Sequence, residues 1–220
     1  MKRAFEDWWD CDGEWVEPPN IRRNGESGVK RVIDAELGML YIKRQVNHLY
    51  RSFRHPFGRP TILREQKALQ AFAGYGVDVP VLVFCEMRKR GDQWQSVLVT
   101  RDLAGYEEMP HWYAHGGRER LGADVHRRML EKLGRTLAQI HLHRWQHTCL
   151  YPKHVFLSSH LAEDGLPHIA LIDLEKCRKQ PTRGWAAQRD LKKLQRHAHM
   201  LSADEWQAVL QGHRAGMSGQ

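Results

Sequence analysis

The sequence is poor in cysteine and has no CxxC pair: Cys11, Cys85, Cys149 and Cys177 are scattered along 220 residues. That argues against a disulfide framework and against a cysteine zinc site, and fits reduced thiols in a cytoplasm. No apolar run approaches the length that spans a bilayer. Residues 1–7 turn acidic where a signal peptide needs an apolar stretch, so export by that route is not expected. Internal repeats and low-complexity segments are also lacking. Acids are the scarcer charge, 26 against 34 Lys and Arg, giving a formal net charge of +8. Such an excess implies a polyanionic partner: nucleic acid, an anionic membrane surface or a phosphorylated substrate. The rest of the composition, 41% hydrophobic and 27% charged, is that of a folded globule able to form one large domain or two small lobes.

The opening stretch to Pro18-Pro19, with Trp8, Trp9 and Trp15 among acids, reads as an extended lead-in. Ile21-Arg22-Arg23 and Val29-Lys30-Arg31-Val32-Ile33 flank the turn Asn24-Gly25-Glu26-Ser27-Gly28, a hairpin signal, and Gly38 to Arg44 supplies a third strand. Residues 61–72 have helical spacing, with Leu63, Leu69 and Phe72 on one face and Gly74 and Gly76 as stops. Two more strands follow at 79–87 and 95–100. Beyond Gly105 the pattern turns helical: residues 118–144 place Leu130, Leu133, Leu137 and Ile140 three and four apart, as one long amphipathic helix. A loop at 147–154, a hairpin from 155–157 and 169–173, and helices at 185–200 and 203–213 complete the chain. The expected class is α+β, divided into an antiparallel β-rich part with one helix at 1–102 and a mainly helical part at 103–220.

Several residues carry chemistry at meaningful spacing. Lys43 ends Leu40-Tyr41-Ile42-Lys43 on the third strand, and Glu65 lies on the following helix; Asp173 ends an apolar strand in Ile172-Asp173-Leu174-Glu175. Between them runs His147-Thr148-Cys149-Leu150-Tyr151-Pro152-Lys153-His154, and Arg189-Asp190-Leu191 follows. In order and spacing, from Ile21 to Met200, these resemble the protein kinase-like fold, and the histidine at 154, the tyrosine at 151 and the Ile-Asp-Leu ending resemble the lipopolysaccharide kinase family, nearest its InaA-type members.

The resemblance implies a β-rich N-lobe and a helical C-lobe that bind ATP and Mg²⁺. Lys43, with Glu65 as ionic partner, would hold phosphates; Asp173 and His154 would hold the metal; His147 would lead the catalytic loop, more often as a brace bonding its backbone than as a base, and Asp190 would brace it. Gly25 and Gly28 would let backbone amides approach phosphates, although their turn matches neither Gly-x-Gly-x-x-Gly nor the Walker pattern. The acceptor implied is a lipopolysaccharide-core sugar hydroxyl, with peripheral association at the inner membrane. Arg51, Arg54, His55 and Arg59 make a basic segment before the helix at 61–72 that reads either as a grip for a phosphorylated saccharide or as a solvated loop.

One position departs from the family pattern: Cys149 stands where members have the catalytic aspartate. A weak or silent kinase is therefore expected, its acceptor hydroxyl oriented by His147 or by water, or else a pseudokinase that uses the same residues for binding or regulation. Nucleic-acid binding through stacking on Trp112, Trp145 and Trp185 is the third reading. The apolar or helical settings of those tryptophans predict core packing and argue against it. His141 and His143, at the end of the long helix, read as cations suited to its dipole.

Overall fold

The computed structural model describes residues 3–22, 25–52 and 55–219. Arg23 and Asn24 of the expected first turn, and Arg54 of the basic segment, lie outside them. The chain divides into two compact units, Met1–Gln70 with Pro80–Leu103, and Ala71–Val79 with Ala104–Gln220.

The first unit contains α1 (Phe5–Trp9), β1 (Glu14–Arg22), β2 (Gly25–Asp34), β3 (Gly38–Val46), β4 (Leu49–Ser52), β5 (His55–Pro60), most of α2 (Ile62–Gly74), β6 (Leu82–Arg90) and β7 (Gln93–Arg101). Its sheet is antiparallel, ordered β1-β2-β3-β7-β6. Strand periodicity of two decides what each face does. Leu40 and Ile42 of β3 join Val97 and Val99 of β7 in a core closed by Phe5 and Trp8 of α1. The alternate residues Lys43 and Gln45 project to the opposite face, where Gln45 accepts from Thr61 (3.0 Å) just before α2. That contact seats the first turn of α2 beside β3.

Two expectations are corrected in this unit. Residues 5–9 form a helix rather than an extended lead-in, because Phe5 and Trp8, three apart, can then bury on one face of the sheet. That burial offsets the poor intrinsic stability of so short a helix, and the Ala4 amide donates to Asp7 (2.7 Å). The basic segment before α2 is a hairpin rather than a solvated loop, with Leu49 opposite Pro60 and Tyr50 opposite Arg59.

The second unit adds β8 (Tyr106–Glu108), α3 (Met109–Ala114), α4 (Gly117–Leu121), α5 (Ala123–Leu142), β9 (Trp145–Gln146), β10 (Val155–Leu161), β11 (Pro167–Leu171), β12 (Arg178–Lys179), α6 (Arg183–His197) and α7 (Ala203–Ser218). The single long helix expected over 118–144 is interrupted at Gly122, whose φ of 74° breaks the helical path at a residue that tolerates it. On α5, Met129, Leu130, Leu133, Leu137 and Ile140 are almost wholly buried, each contributing about 1.5–3 kcal/mol by removal from water. Against this face α7 packs at backbone distance: a Cβ at Gly212 would fall on the Glu131 main chain, and one at Gly134 on the Val209 carbonyl. The start of α7 is fixed by a capping box, the Ser202 amide donating to Glu205 (2.7 Å) and the Glu205 amide to Ser202 Oγ (3.2 Å). Among the described residues no helix is long and apolar enough to cross a membrane.

Candidate functional site

Lys43 and Glu65 are in contact, with Nζ 2.8 Å from Oε2. Both side chains are largely shielded, at 18% and 14% exposure. The strand alternation that sends Ile42 into the core turns Lys43 to the α2 face, and Glu65 stands one turn past Thr61. A largely shielded pair of this kind adds little net stability, since desolvation offsets much of the attraction; its value lies in fixing where the ammonium points. Behind the pair, on the same face, burial and the nearby Glu65 charge push the Cys85 thiol up to about 12, so it is a neutral filler.

In the second unit the loop 147–154 leads into β10, and Asp173 follows β11 two residues on. Antiparallel pairing of Val155 with Leu171 brings His154 alongside Asp173, their Nδ1 and Oδ2 atoms 3.6 Å apart. His154 Nδ1 lies 2.6 Å from the Cys149 carbonyl oxygen. A carbonyl only accepts, so Nδ1 carries the hydrogen, and in the neutral ring Nε2 keeps the lone pair that a metal requires. Asp173 has left-handed backbone, φ 58° and ψ 56°, a conformation costly for a residue with a Cβ and characteristic of functional positions. Thr148, at φ 66°, is a second such residue. Among the described residues no cluster of three or more His, Cys, Asp or Glu side chains is assembled to hold a metal alone. Magnesium takes oxygen ligands and keeps several waters, so of the two side chains the Asp173 carboxylate is the kind of donor that suits it, whereas the imidazole of His154 is a softer one.

Cys149 is buried, and burial, with the Asp173 carboxylate second, raises its thiol above the ordinary range. Both causes favour the neutral thiol over the thiolate. Of the two roles expected for His147, its contacts are those of the backbone-bonding brace rather than of a group that orients a hydroxyl. It is fully buried, and its Nε2 donates to the Ile172 carbonyl (2.9 Å), so it ties the loop to the end of β11 and cannot touch an acceptor hydroxyl. Burial also holds its imidazole below the usual range, keeping it neutral.

Gly25 and Gly28 are strand residues of β2, not turn residues, and their missing side chains make room for the protein itself. A Cβ at Gly25 would lie 2.8 Å from the Asn47 carbonyl oxygen, and one at Gly28 would lie 2.7 Å from the Trp15 ring. Packing within the protein is thus enough to require glycine at both positions. Of the three tryptophans considered for stacking, Trp112 and Trp145 are in the core, whereas Trp185 is 44% exposed with the Arg189 guanidinium 4.9 Å from its ring centre.

His141 is no solvated cation at a helix end. It is fully buried and lies between Asp190 of α6, 3.3 Å from Nε2, and His213 of α7, 2.9 Å from Nδ1. Asp190 also accepts from the amides of His147 (2.6 Å) and Thr148 (3.0 Å). The Asp190 contacts with the loop are those the resemblance implied; the part of His141 and His213 was not, since His141 read as a helix-end cation and nothing in the sequence joined it to residues 190 and 213. His213 is lowered to about 4, first by burial and then by repulsion from His141 and Arg214. Burial lowers His126 as well, against the pull of Glu205.

A pH dependence follows. Between the ordinary value near 6.5 and about 4, the unfolded chain takes up a proton at residue 213 that the native chain refuses. Stability is therefore full above 6.5 and falls as pH drops through this window, by at most about 3 kcal/mol from this residue. Urea midpoints at pH 7.5, 6 and 4.5 should decline in that order, and less steeply for His213→Gln. A flat or rising series would contradict the assignment.

Residues 6–213 match the family described as Lipopolysaccharide kinase (Kdo/WaaP) family. The chain is similar to Protein InaA of Escherichia coli (strain K12), 35% identical over 205 residues and covering 93% of each chain. Among solved structures it is similar to WaaP in complex with acyl carrier protein, with a TM-score of 0.72 at 17% identity, covering 96% of this chain and 81% of that one. At that identity the structural likeness speaks for the fold, which is α+β and protein kinase-like, with the antiparallel sheet and helices expected from the sequence. The extent of the family match and the identity to InaA together establish that this chain belongs to the lipopolysaccharide kinase (Kdo/WaaP) family.

Proposed function

We propose that this chain is a kinase-like protein that binds ATP with magnesium, and that Cys149, in the place of the catalytic aspartate, leaves phosphotransfer weak or absent. The observation that carries the reading is the placement of Asp173, held in a left-handed conformation beside His154, whose Nε2 is the ring nitrogen left for a metal. When bound, magnesium neutralises phosphate charge. The chain's own contribution is Lys43, oriented by Glu65, to hold phosphate oxygens, and Asp173 with His154 to hold the ion. The acceptor best suited to the family and to the +8 charge is a hydroxyl of a lipopolysaccharide-core saccharide or a related anionic substrate. The reading includes a cytoplasmic protein associating peripherally with the inner membrane surface.

A second reading, a pseudokinase that binds nucleotide for a regulatory purpose, is favoured by Cys149, a buried neutral thiol unable to accept a hydroxyl proton as a carboxylate does. Calorimetric titration of ATP with and without magnesium tests both. Binding should require the metal. Asp173→Ala should weaken it by about ten-fold or more, since a carboxylate facing a divalent cation is removed, while Cys149→Ala should change it little. Equal losses in the two variants would contradict these roles, and absence of ATP binding would sink both readings.

A further inference from the structure

We propose that His141 and His213 are positioning residues for the loop 147–154, acting through Asp190 across three helices. What the loop is for rests on the function proposed above; the relay itself stands on geometry within one unit. Asp190 is wholly buried, and its two oxygens together accept from the amides of His147 and Thr148 and from His141 Nε2. A carboxylate accepting backbone donors must keep its plane to serve both, and the His141 contact on Oδ2 restricts its rotation.

His141 is itself oriented from its other side by His213, 2.9 Å away. Whichever ring carries the hydrogen of that bond, the two nitrogens cannot both be protonated, because two N–H groups would then face one another. His213 cannot drift, since the Gly134, Gly212 and Gly216 contacts set α7 against α5 at backbone distance, and Gly212 precedes it directly. In the other direction, the Asp190 grip holds Thr148 in its left-handed conformation, with Lys193 on the Thr148 carbonyl (2.6 Å) and Thr148 Oγ1 on the Lys176 carbonyl (3.0 Å). The next residue, Cys149, supplies the carbonyl that fixes the tautomer of His154. The last helix of the chain is thereby connected to the ring proposed as a metal ligand, through named hydrogen bonds at every step but the covalent one.

The test uses the full chain without nucleotide. Exchange of the His147 and Thr148 amides is measured in wild type, His213→Leu and His213→Gln, alongside amides of α5 and α7. Loss of the relay in His213→Leu should speed loop exchange by about ten-fold while leaving the helix amides within about two-fold. His213→Gln, whose amide can both donate and accept, should restore protection. Unchanged loop exchange in His213→Leu, or equal acceleration of helices and loop with no rescue by Gln, would overturn the proposal. Magnesium-dependent ATP affinity is then measured on the same three proteins. If the loop responds as expected and no variant binds ATP, the relay stands and the functional reading falls.

Discussion

Asp190→Ala should be among the most destabilising single changes in the chain, lowering stability by about 3–5 kcal/mol in urea unfolding followed by far-ultraviolet circular dichroism. The carboxylate is fully buried, and its removal strands three donors at once: the amides of His147 and Thr148 and the Nε2 hydrogen of His141. Each buried donor left without a partner costs about 1–3 kcal/mol, and partial relaxation of the loop brings the sum below three full penalties. Asp190→Asn should fall between the two, since its oxygen can still accept while its NH₂ group opposes a donor. A loss under about 1 kcal/mol for the alanine variant would mean that water reaches the loop amides, and the brace would then be unimportant.

This brace shows how unevenly the structure was legible in the sequence. Lys43 and Glu65 could be paired because Leu40-Tyr41-Ile42-Lys43 resembles the kinase strand motif, and the local pattern agrees: strand alternation at Leu40 and Ile42 and a helix starting near Thr61 turn the two heads to one face. The hairpin that joins His154 to Asp173 was equally local, two apolar strands closed by a short polar turn.

What escaped depends on contacts between segments distant in sequence. Phe5 and Trp8 form a helix only because a sheet built from residues 40–99 offers them a face. Gly25 and Gly28 look like phosphate-loop glycines until the Asn47 carbonyl and the Trp15 ring are seen to occupy the space above them. The break at Gly122 sits inside a pattern whose hydrophobic spacing begins only later, at Leu130, so periodicity gave no warning of it. Trp185, expected in the core, begins an α6 turn whose buried side is taken by Ala186, Ala187 and Asp190, which leaves the indole outside. His141 reads as a helix-end cation because the sequence does not show that residues 190 and 213, 49 and 72 positions away, close around it.

Cys149→Asp should raise phosphotransfer by about 10²–10⁴-fold over the wild type when ATP, magnesium and a suitable saccharide acceptor are present, the range expected from an added group that orients or deprotonates a hydroxyl. Aspartate and cysteine reach about equally far from the backbone, and the loop conformation is already held by Asp190, by the His147 contact with Ile172 and by the His154 contact with residue 149's own carbonyl, none of which involves the thiol. The substitution does carry a penalty that the sequence alone does not suggest. Position 149 is only 8% exposed, and Asp173 already raises the pKa of the group there, so a second carboxylate meets both desolvation and like-charge repulsion. Without metal the variant should therefore be less stable than wild type by about 1–3 kcal/mol. Added magnesium with nucleotide should recover part of that loss, because a divalent cation beside Asp173 relieves the repulsion. Turnover assayed across lipopolysaccharide-core sugars, with thermal unfolding in parallel, reads both effects. If wild type and variant are equally silent although each binds ATP with magnesium, a missing carboxylate is not what limits the protein, and the pseudokinase reading is the one that survives.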